Sequence, residues 1–394
     1  MDQTEFIEKY YVDRKNTQSI KWDSLGETFS SQDLIPLWIA DLDFKVSEAI
    51  TKAFQKRLDH AVYGYTSVPL AYYEAYQSWM DKHFNFSIKN EWIRFSNGIV
   101  QALYHFMNAF TNIDDAVVIL TPVYYPFHHA IQDTGRRLIT VDLINHQNHY
   151  SIDFDAFEEA IIKENVKAFI HCSPHNPTGR VWTEEEHQRL FDVCQKHGVL
   201  IISDEIHQDF TYGDHQHIPS AIVASGKYRD IIVTANSASK SFNLAALTHS
   251  NLLIPNEALR QQYDDYIQRS IRAEPSLFGV IATQAAYEGG QDWLNALKVV
   301  IHHNYLWAKT RLREALPQVT VSPLEGTYLM FVNLNPVLDG IDIVQFMEER
   351  CGIAVDYGDW FDDNYKGYIR INLGTKPEII ENSIEKIIKE ANKL

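Results

Sequence analysis

The chain has 394 residues, 45% of them hydrophobic, so it can bury a large core, and its length predicts about two domains. The formal net charge of −17 argues against binding to nucleic acid or to an anionic membrane, because both attract basic patches. Three cysteines without a Cys-x-x-Cys pair indicate neither a disulfide framework nor a thiolate zinc site, and fit a reducing cytoplasm best. The N-terminus lacks a signal-peptide pattern, and no apolar stretch reaches membrane-spanning length.

The first hundred residues contain an irregular segment and two predicted helices. Residues 1–45 show little periodicity, which predicts an N-terminal arm that crosses a larger domain. Pro69 precedes residues 71–80, whose apolar and aromatic positions have helical spacing. Gly98 ends a turn that opens a second helix, and the free N–H groups of such a helix start favour phosphate.

The middle of the chain alternates apolar runs with helical patterns, which is the rhythm of a parallel sheet with crossover helices. Thr183 and Glu186 form a capping box that opens a helix ending at His197, with Gly198 as its stop. A further helix is expected over residues 154–163. The predicted strands are residues 116–120, 138–141, 168–170, 199–202, 231–234 and 249–254. The fold class that follows is α/β.

From about residue 290 the pattern changes to a long helix, two strands and a closing helix from Pro377. The strands are expected near residues 328–334 and 368–373. This order predicts a smaller α+β domain over residues 290–394, beside a large domain over residues 46–289.

Polar side chains follow three of the predicted strands. Asn176 lies in a turn after residues 168–170, Asp204 follows residues 199–202, and Lys240 follows residues 231–234 among small hydroxyl residues. A buried lysine is costly unless it is paired or its amine is neutral and nucleophilic. Pyridoxal phosphate (PLP) needs a lysine for its aldehyde, a carboxylate for its ring nitrogen and a donor at its phenolic oxygen. Ligands of open α/β sheets bind at this sheet edge, so the three residues together indicate a PLP site.

Eight segments carry a resemblance to a known family. They are residues 37–44, 63–65, 97–102, 176–179, 204–207, 237–240, 325–328 and 370–372. In this order they resemble fold-type I PLP enzymes of the aminotransferase class I/II superfamily, and within it the branch of cystathionine and cysteine β-lyases that includes MalY and PatB. The resemblance covers nearly the whole chain. It implies that the large domain binds PLP, that residues 1–45 pack with the small domain, and that the protein is a homodimer.

The resemblance assigns cofactor roles to matching positions. Lys240 would bind the PLP aldehyde and later act as the base at the substrate Cα, and Asp204 would keep the pyridine nitrogen protonated. Asn176 would donate to the phenolic oxygen, and Tyr124 would stack on the ring as part of the catalytic set. By local sequence alone Asp204 is also a strand-end cap, Asn176 a turn residue and Tyr124 a core aromatic. The other expected cofactor contacts are Val100, Gln101, Ser237 and Ser239 at the phosphate, His207, and Tyr63 from the neighbouring subunit.

The resemblance also predicts how the substrate binds. Arg370 would hold the α-carboxylate in a bidentate pair, for which a guanidinium is suited and an ammonium is not, although a surface arginine would show the same local pattern. Asn176 and the backbone at Ala40 would add donors to that carboxylate. The further candidates for the substrate pocket are Trp38, Tyr65 and Tyr328.

Two positions depart from the pattern of many aminotransferases. His207 stands where they carry tyrosine, and Thr248 where they carry a phosphate-binding arginine. Both departures are shared with the β-lyase branch and favour α,β-elimination from L-cystathionine, L-cysteine or S-substituted cysteines to pyruvate, ammonia and a thiol. An aminotransferase is the first alternative. The second is a MalY-like regulatory protein that binds a protein partner, although no segment resembles a DNA-binding motif.

Histidine pairs suggest a metal site, but the sequence favours none. The pairs at 128–129, 302–303 and 215/217 lie in unrelated segments without cysteine or acidic partners at matching spacing. Zinc needs three or four convergent ligands. We therefore expect a PLP enzyme without a metal.

Overall fold

The computed structural model describes residues 1–270 and 274–394. The strands in these ranges are β1 (Ile35–Pro36), β2 (Ile93–Ser96), β3 (Ala116–Thr121), β4 (Arg137–Asp142), β5 (Ile144–His146), β6 (His149–Ser151), β7 (Ala168–Cys172), β8 (Leu200–Asp204), β9 (Ile232–Asn236), β10 (Ser250–Leu253), β11 (Thr320–Val321), β12 (Leu329–Asn333), β13 (Ile353–Ala354), β14 (Asp356–Tyr357) and β15 (Tyr368–Asn372). β5 and β6 form a separate antiparallel hairpin.

The helices surround these strands. They are α1 (Gln3–Tyr10), α2 (Ile20–Asp23), α3 (Leu25–Thr28), α4 (Glu48–His60), α5 (Leu70–Phe84), α6 (Ile99–Phe110), α7 (Pro126–Gln132), α8 (Phe154–Glu164), α9 (Glu184–His197), α10 (Val223–Gly226), α11 (Ala238–Ser241), α12 (Glu257–Ser270), α13 (Leu277–Gly289), α14 (Gln291–Ala315) and α15 (Pro377–Ala391). Gln345–Cys351 is a π-helix. Shorter 3-10 turns lie at Asn90–Trp92, Ser220–Ile222, Arg229–Ile231, Ala245–Leu247, Asn335–Val337, Gly358–Trp360 and Asp363–Tyr365.

Seven strands form the central sheet in the order β2-β10-β9-β8-β7-β3-β4. Of these, only β10 runs against the other six, so the sheet is mostly parallel, as the sequence predicts. Helices cover both faces of the central sheet, which explains why its inner strands are continuously apolar. Val118 and Phe169 pack with α8 and α9 on one face, whereas Val117 and Ile170 pack with α6 and α12 on the other.

The capping box predicted before α9 is confirmed. Thr183 accepts a hydrogen bond from the N–H of Glu186, and the Glu186 side chain accepts one from the N–H of Thr183. Gly198 ends the helix in the left-handed conformation, with φ of +67°. These local contacts fix the direction in which the chain enters β8.

The smaller sheet has the order β11-β12-β15-β14 and is antiparallel throughout. Helices α14 and α15 pack together beside it. The N-terminal β1 pairs in parallel with β13, so the start of the chain joins this part of the molecule. The division into residues 1–45, 46–289 and 290–394 stays a prediction.

One buried contact joins the loop after β7 to the segment before β12. Arg180 donates to Glu325 at 2.9 Å and to Glu186 at 3.0 Å, and all three side chains lie largely inside the protein. The N–H groups of Glu325 and Gly326 donate to the carbonyl oxygen of Gly179. These contacts form a joint between the central sheet and the smaller sheet, and they hold the two sheets in one arrangement around the space between them.

No helix in the described ranges is long and apolar enough to cross a membrane. Within the same ranges, no three His, Cys, Asp or Glu side chains converge as a metal site would require.

Candidate active site

A cavity of about 280 Å³ opens at the carboxyl ends of β7, β8 and β9. These strands are neighbours in the sheet and run in parallel, so the residues that follow them meet at one edge. Ten of the residues predicted from the sequence line this cavity: Ala40, Val100, Gln101, Tyr124, Asn176, Asp204, His207, Ser239, Lys240 and Arg370.

Five other predicted residues do not line it. Ser237 is buried, and its hydroxyl donates to the carbonyl oxygen of His249 at 2.7 Å. Trp38 and Tyr328 lie behind the cavity wall, where the Trp38 indole donates to the Lys21 carbonyl oxygen. The last two, Tyr63 and Tyr65, lie exposed on the surface. The roles predicted for these five residues stay predictions.

Lys240 lies in the short helix α11, which starts just after β9. Its Nζ donates to the carbonyl oxygen of Ala40 at 2.7 Å. Burial, with a smaller contribution from the neighbouring Arg370, lowers the pKa of the Lys240 amine to about 8, although Asp41 and Asp204 oppose the change. The amine can therefore exist in its neutral, nucleophilic form near neutral pH.

Asp204 is the last residue of β8 and is almost fully buried. Burial raises the pKa of its carboxyl group to about 7, although the N–H of Ile206 donates to it at 3.0 Å and opposes this shift. A cationic group placed against it would favour the carboxylate form. His207, three residues later, is buried too, and its burial together with Lys240 and Arg370 holds the imidazole pKa well below its ordinary value. His207 is therefore neutral.

Arg370 lies in the middle of β15 and points into the cavity from the smaller sheet. Its Nη1 donates to Oδ1 of Asn176 at 3.0 Å, so the Asn176 amide keeps its Nδ2 group for other acceptors. Burial lowers the pKa of Arg370 to about 10. Tyr124 lies nearby, and its N–H donates to the carbonyl oxygen of Asn176. A guanidinium and an amide donor therefore converge on one wall.

The opposite wall is the start of α6. Gly98 has a φ of +138°, which is open to glycine and strained for other residues, and its conformation turns the chain into the helix. The first turn contributes Val100 and Gln101 to the cavity, and Ser239 faces them from α11. Free N–H groups, the positive end of a twelve-residue helix and a hydroxyl together suit an anion.

The segment around Ala40 forms a third wall. Its carbonyl oxygen accepts hydrogen bonds from Lys240 and from the Tyr328 hydroxyl, the latter at 2.8 Å. Asn372 donates to the carbonyl oxygens on either side of Ala40, at 2.6 and 2.7 Å. The observed contacts of Ala40 are thus those of an acceptor, and the expected donation from its backbone to a carboxylate stays a prediction.

Comparison with known proteins identifies the family. A family model described as aminotransferase class I and II matches residues 32–387. The chain belongs to this family. It is similar to cystathionine beta-lyase PatB of Bacillus subtilis (strain 168), with 35% identity over 376 residues, 95% of this chain and 97% of that protein.

Two solved structures with bound PLP are also similar to this aminotransferase-family chain. The PLP-bound C-S lyase from Staphylococcus hominis has a TM-score of 0.91 and 34% identity, with 96% of each chain covered. Cystalysin from Treponema denticola, which contains a pyridoxal 5'-phosphate cofactor, has a TM-score of 0.92 and 31% identity, with 97% of this chain and 98% of that chain covered. The aminotransferase-like fold expected from the sequence is therefore confirmed.

Sequence reasoning missed several residues that line the cavity of this family member. Asp356 contacts Arg370 directly, and its only sequence signal is an acid at the end of the apolar run 353–355. Cys172 lies beneath Asn176, whose N–H approaches its Sγ at 3.5 Å. His249 lines the anion end, and nothing in its local pattern separates it from a core histidine.

Proposed function

We propose that this protein is a PLP-dependent carbon-sulfur β-lyase that cleaves L-cystathionine, L-cysteine or S-substituted cysteines. The observation that carries the proposal is the Lys240 amine, which lies with Asp204 and Arg370 around one cavity. The choice of elimination over amino transfer is supported by similarity along almost the whole chain to PatB and to the Staphylococcus lyase.

The cavity residues fit PLP. Asp204 is a buried acid that accepts one bond from an N–H group, so it can accept a further bond from a pyridinium nitrogen. The start of α6 offers backbone N–H groups to a phosphate. Asn176 keeps Nδ2 free of the bond to Arg370 and suits the phenolic oxygen. When bound, PLP supplies an aldehyde that condenses with amines and a ring that accepts electrons from the substrate Cα.

The protein's own residues orient the substrate and move its proton. Arg370 binds the α-carboxylate, which places the Cα hydrogen toward Lys240. The Lys240 amine removes that proton, a role for which a pKa lowered to about 8 is suited. Asp204 would hold the proton on the ring nitrogen of bound PLP, and the Tyr124 ring would pack against the cofactor.

The overall reaction, in which the substrate loses its Cα proton and its Cβ thiolate, balances when one water is consumed. Cystathionine and one water give homocysteine, pyruvate and ammonia, and cysteine gives sulfide in place of homocysteine. The thiolate takes one proton, and the ammonia derives from the substrate amine. No external oxidant or reductant is needed, so the chain's residues need only transfer protons.

The proposed assembly is a homodimer with a shared site, in the cytoplasm. Tyr63 and Tyr65 lie on the surface of the single chain, beside a groove that Thr66, Ser67 and Pro275 also line. Exposed aromatic rings of this kind suit an interface. Tyr63 would then reach the phosphate of the partner's cofactor. A protein regulator as a further partner stays a prediction.

Purified holoenzyme with L-cystathionine or L-cysteine, and no keto acid, tests the activity. We expect pyruvate in equal amounts with homocysteine or sulfide, and its loss in Lys240→Ala. Lys163→Ala, which removes an exposed lysine from α8, is the matched control and should keep wild-type activity. If no pyruvate forms and the cofactor absorbance shifts to the pyridoxamine form, the protein is an aminotransferase instead.

A further inference from the structure

Asp356 lies directly opposite Arg370 in the smaller sheet. β14 and β15 are antiparallel, and their register pairs these two residues. The Asp356 carboxylate forms an ion pair with Nη2 of Arg370, and the two side chains are 4% and 3% exposed. Asp356 also lines the cavity, so the ion pair lies at the cavity wall.

The remaining contacts of the Arg370 guanidinium involve both of its terminal nitrogens. Nη1 donates to Oδ1 of Asn176 at 3.0 Å, and Nη2 also lies 3.4 Å from the carbonyl oxygen of Trp38. Among the described residues Nε has no partner and is buried. A carboxylate that pairs with two guanidinium nitrogens uses either Nη1 and Nη2 or Nε and Nη2, so both arrangements need Nη2, which already has acceptors within the protein.

Asp356 differs from the other two acceptors because it carries the same charged group as the substrate. An incoming α-carboxylate would meet a second carboxylate on one buried guanidinium, and like charges in a buried site repel. The amide of Asn176 and the carbonyl of Trp38 pose no such conflict. Substrate binding thus requires Asp356 to give up its place on Nη2.

We propose that Asp356 is an internal competitor for the substrate carboxylate: it occupies Arg370 in the free enzyme, and a ligand must displace it. The inference rests on the proposed role of Arg370 as the carboxylate-binding residue. Its consequence is selectivity for ligands that carry an amine as well as a carboxylate. An amino acid gains a covalent link through its amine, whereas pyruvate and other keto acids must displace Asp356 with their carboxylate alone.

This selectivity suits an elimination. Pyruvate, the carboxylate product, is bound weakly and does not block the next turnover. Keto acids, which an aminotransferase must bind as second substrates, are bound weakly as well. Asp356 also spares the free enzyme a buried, unpaired guanidinium, since breaking such a pair from one side is strongly unfavourable.

Ligand affinity of the holoenzyme tests the inference without turnover. Glycine and ethylamine are titrated against wild type, Asp356→Asn and Asp356→Ser, and the dissociation constants are read from the cofactor absorbance. Glycine carries a carboxylate and no leaving group, whereas ethylamine carries only the amine. Pyruvate is titrated as a competitor of glycine. Asp359→Asn, three residues away and outside the cavity lining, is the matched control.

We expect Asp356→Asn to bind glycine and pyruvate about tenfold more tightly or better, since a charged hydrogen bond on Arg370 no longer has to be displaced. Ethylamine affinity should be unchanged, and Asp359→Asn should match wild type. Asp356→Ser should show the same tightening, which guards against a folding defect specific to one variant. PLP content and far-UV circular dichroism confirm that each variant is loaded and folded.

Unchanged or weaker glycine binding in both Asp356 variants would overturn the inference and leave Asp356 as a residue that only orients Arg370. Arg370→Lys separates this result from a failure of the proposed site. If Arg370→Lys leaves glycine affinity at the wild-type value, then Arg370 does not bind the carboxylate, and its proposed role fails together with the inference.

Discussion

A buried cluster of charges anchors the segment that carries Ala40. Asp43 is fully buried and accepts from Nζ of Lys21 at 3.1 Å and from the Trp22 indole at 2.9 Å. Lys21 is 1% exposed, with Asp41 as a second acid at 3.7 Å. Asp43→Ala would leave the Lys21 ammonium buried with only its more distant partner. We expect this substitution to destabilise the protein strongly.

The geometry sets the size of the loss. Opposite unit charges 3.1 Å apart attract by about 5 kcal/mol at an effective dielectric constant of about 20. The remaining attraction between Lys21 and Asp41 recovers only part of this energy, because Asp41 is 3.7 Å from Lys21 and also pairs with Arg14 at 2.8 Å. Removing one partner of a buried pair costs about 3–5 kcal/mol, and we expect Asp43→Ala to fall in that range.

Urea unfolding followed by far-UV circular dichroism measures the effect, with Lys21→Met and the double variant Lys21→Met/Asp43→Ala completing a cycle. The double variant no longer buries an unpaired ammonium. Its loss in the free energy of unfolding should therefore be at least about 2 kcal/mol smaller than the sum of the losses in the two single variants. A loss below about 1 kcal/mol for Asp43→Ala, as for surface ion pairs, would refute this reasoning.

Two further substitutions test the site and the joint between the sheets. In the cofactor-free protein, burial raises the pKa of Asp204 from 3.8 to about 7, so the folded chain keeps a proton that the unfolded chain releases between these values. The free energy of unfolding of wild type, relative to Asp204→Asn, should fall as pH rises from about 4 to about 7 in urea unfolding, and a flat difference would contradict the raised pKa. In Gly326→Ala the new Cβ would lie 2.8 Å from side-chain atoms of both Pro174 and Val181, so we expect a loss of about 1–3 kcal/mol in thermal unfolding. Gly64→Ala, with no atom within 4 Å of its Cβ, is the control, and equal unfolding temperatures of the two variants would contradict the close packing.

The parts of the fold that the sequence predicts are those set by local contacts or by strong apolar periodicity. The start of α9 is one example, because Thr183 and Glu186 bond to each other within one turn. The strands β3, β7, β8 and β9 are others, because burial on both faces makes them continuously apolar. β2 was missed. Its sequence, Ile-Arg-Phe-Ser, has a weak strand pattern, and its pairing with β10 joins residues more than 150 positions apart.

The candidate site likewise contains residues that the sequence could bring together and residues that it could not. Asn176, Asp204 and Lys240 could be placed together because each follows a strand and the strands are parallel neighbours. Asp356 could not, since its contact with Arg370 depends on the register of two strands in the smaller sheet. The hydroxyl of Ser237 is likewise held by a carbonyl oxygen of the segment entering β10, a partner that no local motif reveals.

The pairing of β1 with β13 has a consequence for biosynthesis. It joins residue 35 to residue 353, which the ribosome adds more than 300 residues later. Ala40, Lys240 and Arg370 meet at one cavity, so its walls come from segments up to 330 residues apart in the chain. A nascent chain can build the central sheet once residue 253 has emerged, but it cannot close the cavity before residue 370 has emerged. A complete cofactor site therefore forms later in synthesis than the sheet, and a chain terminated between residues 253 and 370 would contain the sheet without the complete site.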